Sequence, residues 1–199
     1  MEVKLLTPPE YIGIMERNAA IGHLTCHANA EKDFKPKEVL TRAIKAGHET
    51  TLEHITLTYS VKGISRAVLQ ELARHRHISL SVESTRHTLR KQLENEQCVE
   101  SLADKLLPCQ RYLLDYLVKL TKISDYTDDE LKYYLPEFWP TNLILTSNIR
   151  ELRHILKLRT SPAALKEFRI LACELFNVVP NEFKYLLKDC VYEEKGESK

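Results

Sequence analysis

The chain has 199 residues, 43% of them hydrophobic and 29% charged, which is the balance of a soluble globular chain of about one domain. A net charge of only +1 at pH 7 argues against nonspecific electrostatic binding of nucleic acid. No apolar run approaches the roughly 20 residues of a membrane span, and the start lacks a basic region followed by an apolar core. We therefore expect a cytoplasmic protein.

Cysteine and glycine usage narrows the kinds of site. The five cysteines include no C-x-x-C pair, so a disulfide framework and a cysteine-rich zinc site are not expected. The five glycines are too far apart for a G-x-G-x-x-G or Walker loop. If the protein binds a nucleotide, side chains must hold the phosphates that a glycine-rich backbone holds elsewhere.

The first half of the chain predicts alternating strands and helices. VKLL near the start predicts a short strand, and residues 33–48 predict a helix that Gly47 ends. Residues 54–61, HITLTYSV, alternate apolar with polar and predict a half-buried strand. Residues 64–76 predict a helix, and residues 77–84 an extended segment with a polar side.

The second half predicts mainly helices. One covers residues 100–122 with a break at Pro108, and Thr127 opens a short helix through a capping box. Another covers residues 150–157, with Asn148 near its cap. A last helix begins with Ser161 as N-cap and runs to Val178. We predict one α+β domain over residues 1–199, helix-rich with an antiparallel sheet, and a frayed charged tail from about residue 193.

Three segments carry functional side chains, and each has a plainer interpretation. GHETTLEH, residues 47–54, has histidines and glutamates but not the H-E-x-x-H spacing, so we expect no metal there; a polar turn before a strand is the alternative. RHRHISLSVESTR, residues 74–86, combines guanidinium forks with small hydroxyls, which suits a phosphate, although a solvated helix end is possible. NIRELRHILKLRTSPA, residues 148–163, places Arg150 and His154 on one helical face or forms a surface helix.

Together the three segments resemble the flavin-dependent thymidylate synthases. The family motif R-H-R-x-x-S followed by S-x-R is matched by six residues: Arg74, His75, Arg76, Ser79, Ser84 and Arg86. GHETTLEH resembles the family's G-H-x-(S/T)-x-x-E-H element, and Asn148-x-Arg150 followed by Arg159 resembles its closing element. The resemblance spans roughly Glu38 to Asp189.

The resemblance implies a fold, a reaction and an assembly. It implies the flavin-dependent thymidylate synthase fold in a homotetramer, with FAD and substrate at subunit interfaces. The implied reaction makes dTMP from dUMP, with methylenetetrahydrofolate as carbon donor and reduced FAD as reductant, which NADPH replenishes. No nucleic-acid or membrane partner is implied. No cysteine lies in the three segments, so no cysteine nucleophile is expected.

The resemblance also implies residue roles. Arg159 takes the catalytic position credited with activating the uracil ring. The expected dUMP contacts are Glu71, Leu72, Ala73, Arg74, Val82, Glu83, Ser84, Thr85, Arg86, Lys132 and Arg159. The expected FAD contacts are His48, Thr50, Glu53, Arg74, His75, Arg76, Val82, Asn148, Ile149, Arg150 and His154.

Some positions depart from the common family pattern, and the three segments leave other functions open. The departures are Ser81, His87, Lys132, His154 and Ala163, and the usual N-terminal element is hard to find around AAIGHLTC, residues 19–26. The alternatives are a non-catalytic nucleotide- or RNA-binding protein, a metal-dependent hydrolase, and a family member without activity. RNA binding would need a basic face with aromatic side chains for stacking.

Overall fold

The computed structural model describes residues 1–26, 28, 33–104, 106–123 and 126–192, without the side chains of Cys98 and Ser101. The strands are β1 (Glu2–Leu5), β2 (Thr56–Ser65), β3 (Ile78–Val82) and β4 (Pro140–Asn148). The helices are α1 (Pro9–Thr25), α2 (Pro36–Lys45), α3 (Arg66–Leu72), α4 (Thr85–Glu94), α5 (Glu96–Ala103), α6 (Pro108–Lys122), α7 (Asp128–Leu131), α8 (Ile149–Arg159) and α9 (Lys166–Asn177). Short 3-10 helices cover Glu49–His54, Lys132–Tyr134, Asn181–Leu186 and Lys188–Cys190.

The four strands form one sheet in the order β1-β2-β4-β3, which confirms the α+β class. β1 and β2 are antiparallel, with Val3 opposite Val61. The alternation predicted for β2 is confirmed, because Ile55, Leu57, Tyr59 and Val61 are fully buried. The adjacent strands β2 and β4 are also joined by a hydrogen bond between the hydroxyls of Thr58 and Thr146, 3.0 Å apart.

β2 is longer than the sequence predicts, and α3 is correspondingly shorter. Gly63 adopts a φ of +72°, a conformation open to glycine, and its N–H donates to Asn142 Oδ1 at 3.0 Å. The chain therefore continues as a strand to Ser65, and the helix predicted from Ile64 starts at Arg66. It ends at Leu72, so Arg74 lies in the turn that follows and not on the helix.

The chain divides into two compact units. The first comprises Met1–Ile64, Val68–Ser81 and the chain from Asn142 onward, and the second comprises Ser65–Ala67 and Val82–Thr141. In the first unit, the sheet packs with α1, α2, α8 and α9 around residues such as Leu57. In the second, α4 to α7 enclose a smaller core that includes Trp139. The single domain expected for residues 1–199 stays a prediction.

The helix signals of the second half are confirmed with one exception. Thr127 and Glu130 form the predicted capping box, and Pro108 separates α5 from α6 as the first residue of the latter. The start of the last helix at Ser161 and Pro162 was wrong. The Ser161 carbonyl accepts from Ala164 N–H at 3.0 Å, which makes a turn there, and α9 begins at Lys166.

Three elements were not predicted: α1, α4 and β4. The segment AAIGHLTC, which resembled no family element, lies at the end of α1 and just beyond it. None of the described helices is long and apolar enough to cross a membrane. The tail predicted to be frayed, residues 193–199, lies outside the described residues.

Candidate active site

His75, the centre of the Arg-His-Arg motif, is buried and fixed at both ring nitrogens. Its Nδ1 lies 3.0 Å from Oε1 of Glu151, and its Nε2 accepts from Nε–H of Arg159 at 3.4 Å. A guanidinium N–H can only donate, so Nε2 must be unprotonated, and Nδ1 carries the proton and donates it to Glu151. The contacts therefore determine a single neutral tautomer.

Arg159, at the C-terminal end of α8, is held by three neighbours. Besides His75, its Nη1 donates to Oε2 of Glu71 at 2.6 Å, and its Cζ lies 4.6 Å from the centre of the Phe168 ring. Its Nη2 makes no hydrogen bond within the described part of the chain. One edge of the guanidinium is thus available to a ligand, while the rest is fixed.

A cavity of about 440 Å³ opens beside this arrangement. Its lining includes Arg74, His75, His154 and Arg159, together with Ala163 and Ala164. This volume lies within the range of small-molecule sites, about 300–1,000 Å³. Four of the predicted site residues therefore meet at one cavity, and Ala163 leaves room where a larger side chain would intrude.

A second cavity of about 500 Å³ shares His154 with the first. Asn148, Arg150 and Glu53, all expected to meet the flavin, line it, and so do His77 and Lys157. Asn148 caps α8 by accepting from Glu151 N–H at 2.8 Å, and Arg150 pairs with Glu53 at 2.5 Å. Because both side chains of that ion pair are about half exposed, an anionic ligand can compete for Arg150 at small cost.

The 3-10 helix that carries Thr50 and Glu53 is anchored by a residue that the sequence analysis did not single out. Arg153, on the buried face of α8, is 1% exposed. It donates to Glu49 at 3.0 and 3.1 Å and to Asp189 through two bonds of 2.6 Å. Burial alone would raise the pKa of Asp189, but the bonds and charge of Arg153 hold that pKa below its usual value. His48 precedes this 3-10 helix and is exposed.

Six of the expected dUMP contacts, residues 82–86 and Lys132, lie in the second unit. Ser84 is the N-cap of α4, and its side chain makes no capping bond, while Thr85 and Arg86 form the first turn. Arg86 pairs with Asp129 at 2.5 Å, with both side chains more than half exposed. Lys132 lies on a 3-10 helix that contacts α4. A helix N-terminus favours anions, and the start of α4 adds the hydroxyl of Ser84 and the guanidinium of Arg86.

Several expected contacts do not line either cavity. The side chains of Leu72 and Ile149 lie in the hydrophobic core, at 0% and 1% exposure, so only their backbone can meet a ligand. Ala73 and Arg76 are exposed in the turns around His75, and Thr50 is exposed on its 3-10 helix. In the second unit, Val82 is exposed at the end of β3, and Glu83 accepts from the side chain of Gln92 at 2.8 Å.

A further cluster bears on the expectation of no metal. Ligand atoms of His75, Glu151 and His154 lie within 4.8 Å of one another in the described chain. Two of the three residues already bond to each other, and the guanidinium of Arg159 stands 3.4 Å from the same imidazole. A cation would have to displace the Nδ1 proton beside that fixed positive charge, so we assign the cluster to hydrogen bonding.

Glu151 and Phe168 are the site residues that the sequence analysis missed. Glu151 carries no family signal, and its exposed neighbour Arg150 drew attention instead. A signal did exist: a histidine between two arginines needs an acidic partner if it is buried, and Glu151 follows the Asn148 cap by three residues. In the sequence, Phe168 is one of several apolar residues in a predicted helix, and nothing distinguishes it as a site residue.

The buried imidazole predicts a pH dependence of stability. Burial lowers the pKa of His75 below its usual 6.5; Glu151 acts to raise it, and the charges of Arg159 and His154 lower it further. The unfolded chain therefore takes up this proton first as the pH falls, and the free energy of unfolding decreases below pH about 6.5. Urea unfolding at several pH values should show a shallower acid loss for His75→Gln than for the wild type. Equal slopes would contradict the prediction.

An α+β fold with cavities lined by arginine, histidine and carboxylate side chains defines a class of protein suited to anionic small molecules. A family model described as thymidylate synthase complementing protein matches residues 13–183. The chain is 38% identical over 195 residues to the flavin-dependent thymidylate synthase of Campylobacter jejuni strain RM1221, covering 85% of this chain and 90% of the relative. To that of Helicobacter pylori strain 26695 it is 37% identical over 173 residues, covering 79% and 83%.

A solved structure agrees. The crystal structure of thymidylate synthase X from Helicobacter pylori with FAD and dUMP has a TM-score of 0.83 and 34% identity, and the match covers 97% of this chain and 100% of that one. The chain belongs to the family of flavin-dependent thymidylate synthases. The resemblance that the sequence motifs carried is confirmed.

Proposed function

We propose that the protein methylates dUMP to dTMP, with methylenetetrahydrofolate as carbon donor, FAD as redox cofactor and NADPH as its reductant. The net conversion takes dUMP, methylenetetrahydrofolate and reduced FAD to dTMP, tetrahydrofolate and oxidised FAD, which balances carbon and hydrogen. The observation that carries the proposal is the fixed guanidinium of Arg159 at the wall of the first cavity. Family membership supports the same reaction.

Arg159 would activate the pyrimidine. Carbon 5 of uracil becomes nucleophilic when negative charge is stabilised on nitrogen 3 and the neighbouring carbonyl oxygen. The unpaired edge of Arg159 can donate to that position from a guanidinium that needs no reorganisation, because His75, Glu71 and Phe168 already hold it. Arg74, which lines the same cavity, makes no ion pair within the described residues and is available to the nucleotide.

The start of α4 would bind the phosphate of dUMP. Ser84 has a hydroxyl that caps no backbone group, and within the described chain Arg86 is held by an exposed ion pair with Asp129. Exposed pairs of this kind contribute little, about 0–1 kcal/mol, so exchange of Asp129 for a phosphate is favourable. Lys132 would add a point charge rather than a bidentate donor.

The residues of the second cavity fit a flavin dinucleotide in their chemistry. A dinucleotide presents a pyrophosphate and a polar ring edge, and Arg150, Asn148 and His154 offer a cation, an amide and an imidazole there. FAD supplies the electron transfer when bound, and the protein orients it and excludes water. Arg76, His48 and Thr50 are exposed and line neither cavity, so we propose that they meet FAD between subunits of a homotetramer.

The cysteines whose side chains the structure describes offer no evident thiolate for a conventional mechanism. Neither cavity is lined by Cys26, Cys109, Cys173 or Cys190, the cysteines whose side chains are described. Burial raises the pKa of Cys190 to about 11, so its thiol stays protonated at neutral pH. We therefore propose that uracil activation proceeds without a cysteine adduct.

The visible spectrum of the purified protein tests this function. We expect uptake of FAD with an oxidised-flavin absorption, loss of that absorption on adding NADPH, and its return together with dTMP when dUMP and methylenetetrahydrofolate follow. Methylenetetrahydrofolate without dUMP is the control for folate-dependent oxidation. Failure to take up FAD, or flavin reduction without dTMP, would contradict the proposal.

A further inference from the structure

Glu151 lies one contact away from the proposed reaction centre, and Glu151 itself is not one of the motif residues. It is the third residue of α8, where its N–H is capped by Asn148, and the residue is only 8% exposed. Its carboxylate faces the Nδ1 of His75, a buried imidazole that the motif places between two arginines. A buried carboxylate in this place needs a reason, because its desolvation is costly.

The carboxylate decides which nitrogen of His75 carries the proton. An ionised carboxylate only accepts, so Nδ1 must donate and Nε2 is left as an acceptor. That acceptor is what Nε–H of Arg159 contacts at 3.4 Å. In the other tautomer, Nε2–H would face the N–H of Arg159, two donors would oppose each other, and the carboxylate would meet a lone pair.

We propose that Glu151 is a positioning residue for the thymidylate synthase reaction, acting through the tautomer of His75 to orient Arg159 toward the substrate. The expected effect on turnover rests on the proposed function. The hydrogen-bonded series Glu151–His75–Arg159 rests only on the contacts in the structure. Glu71 accepts from Nη1 of Arg159 at 2.6 Å. The guanidinium is therefore fixed directly by Glu71 and indirectly, through His75, by Glu151.

Glu151→Gln tests the proposal with little change of shape. An amide can accept from Nδ1–H or, after a flip, donate to Nδ1, so the variant no longer imposes one tautomer. We expect kcat to fall by about 10- to 100-fold, the usual scale for losing a hydrogen bond to a charged group, with KM for dUMP and uptake of FAD nearly unchanged. Glu182→Gln, an exposed glutamate outside both cavities, is the matched control.

The tautomer is measured separately by nitrogen-15 NMR of the histidine side chains in the full-length protein, with His75 assigned from His75→Gln. We expect Nδ1–H alone in the wild type and a shift toward Nε2–H in Glu151→Gln. A wild-type His75 protonated at Nε2 would overturn the proposal even if the variant failed to fold. So would turnover of Glu151→Gln equal to that of Glu182→Gln.

The positioning role of Glu151 and the proposed function can fail separately. If the wild type binds FAD and makes dTMP but Glu151→Gln does so equally well, only the positioning role is lost. If the wild type makes no dTMP under any condition, the proposed function is lost. The NMR result then still decides whether Glu151 sets the tautomer of His75.

Discussion

Replacing Arg159 with alanine should lower kcat for dTMP formation by about 100- to 1,000-fold, the scale for removing one preorganised donor at developing charge. The reason is geometric, because His75, Glu71 and Phe168 hold the guanidinium before any ligand binds. No free energy is needed to reorient it during the reaction. The second cavity does not include Arg159, so FAD should still bind. Steady-state turnover and flavin titration measure the two effects.

Arg42→Ala is the control for this variant, because Arg42 is exposed on α2 and lines neither cavity. It should turn over like the wild type. If Arg159→Ala also kept wild-type turnover, the activating role would be refuted. A loss of FAD binding as large as the loss of turnover would instead place Arg159 in the flavin site.

Replacing Arg153 with alanine should destabilise the protein by about 2–4 kcal/mol. Removing one partner of a buried ion pair costs about 3–5 kcal/mol because the other charge is left uncompensated, and the half-exposed Asp189 reduces that figure. Most of the expected loss comes from Glu49, since its carboxylate is mostly buried and would be left without its partner. The Glu49–His54 segment should loosen with it, so FAD affinity is expected to fall as well. Urea unfolding at fixed protein concentration measures the change in free energy.

Arg153→Lys separates charge from geometry. A lysine keeps the positive charge but cannot donate at once to Glu49, Asp189 and the Leu186 carbonyl, which accepts at 2.6 Å. We expect a loss intermediate between wild type and Arg153→Ala, and almost none for Arg42→Ala. An unfolding free energy of Arg153→Ala within about 0.5 kcal/mol of wild type would show that the network contributes nothing net.

Elements with a clear period or cap were predictable from the sequence. β2 alternates by residue type, the TDDE capping box forms as expected, and Asn148 caps α8. β4 was not predicted because its buried side mixes Thr141 and Ser147 with leucines. Burial therefore alternates along the strand, but the polarity of the residues does not. α4 escaped because the serines and arginines before it were interpreted only as ligands, although Ser84 is also a helix start.

Within the site, the sequence predicted which residues matter better than how they are arranged. The Arg-His-Arg motif identified Arg74 and His75, the closing element identified Arg159, and the first cavity brings the three together. The contact of Glu151 with His75 joins positions 76 residues apart, and that of Arg153 with Asp189 joins positions 36 apart. Neither separation follows a local period, so only the packing of α8 against its neighbours reveals these pairs.

Product analysis decides whether a guanidinium held by other side chains activates uracil in place of a thiolate. Wild-type protein with FAD, NADPH, methylenetetrahydrofolate and dUMP is compared with Arg159→Ala and Arg42→Ala for dTMP formed per flavin. We predict dTMP from the wild type and Arg42→Ala, and at most a few per cent of that rate from Arg159→Ala. No dTMP from flavin-loaded wild type, or equal rates for all three, would contradict the claim.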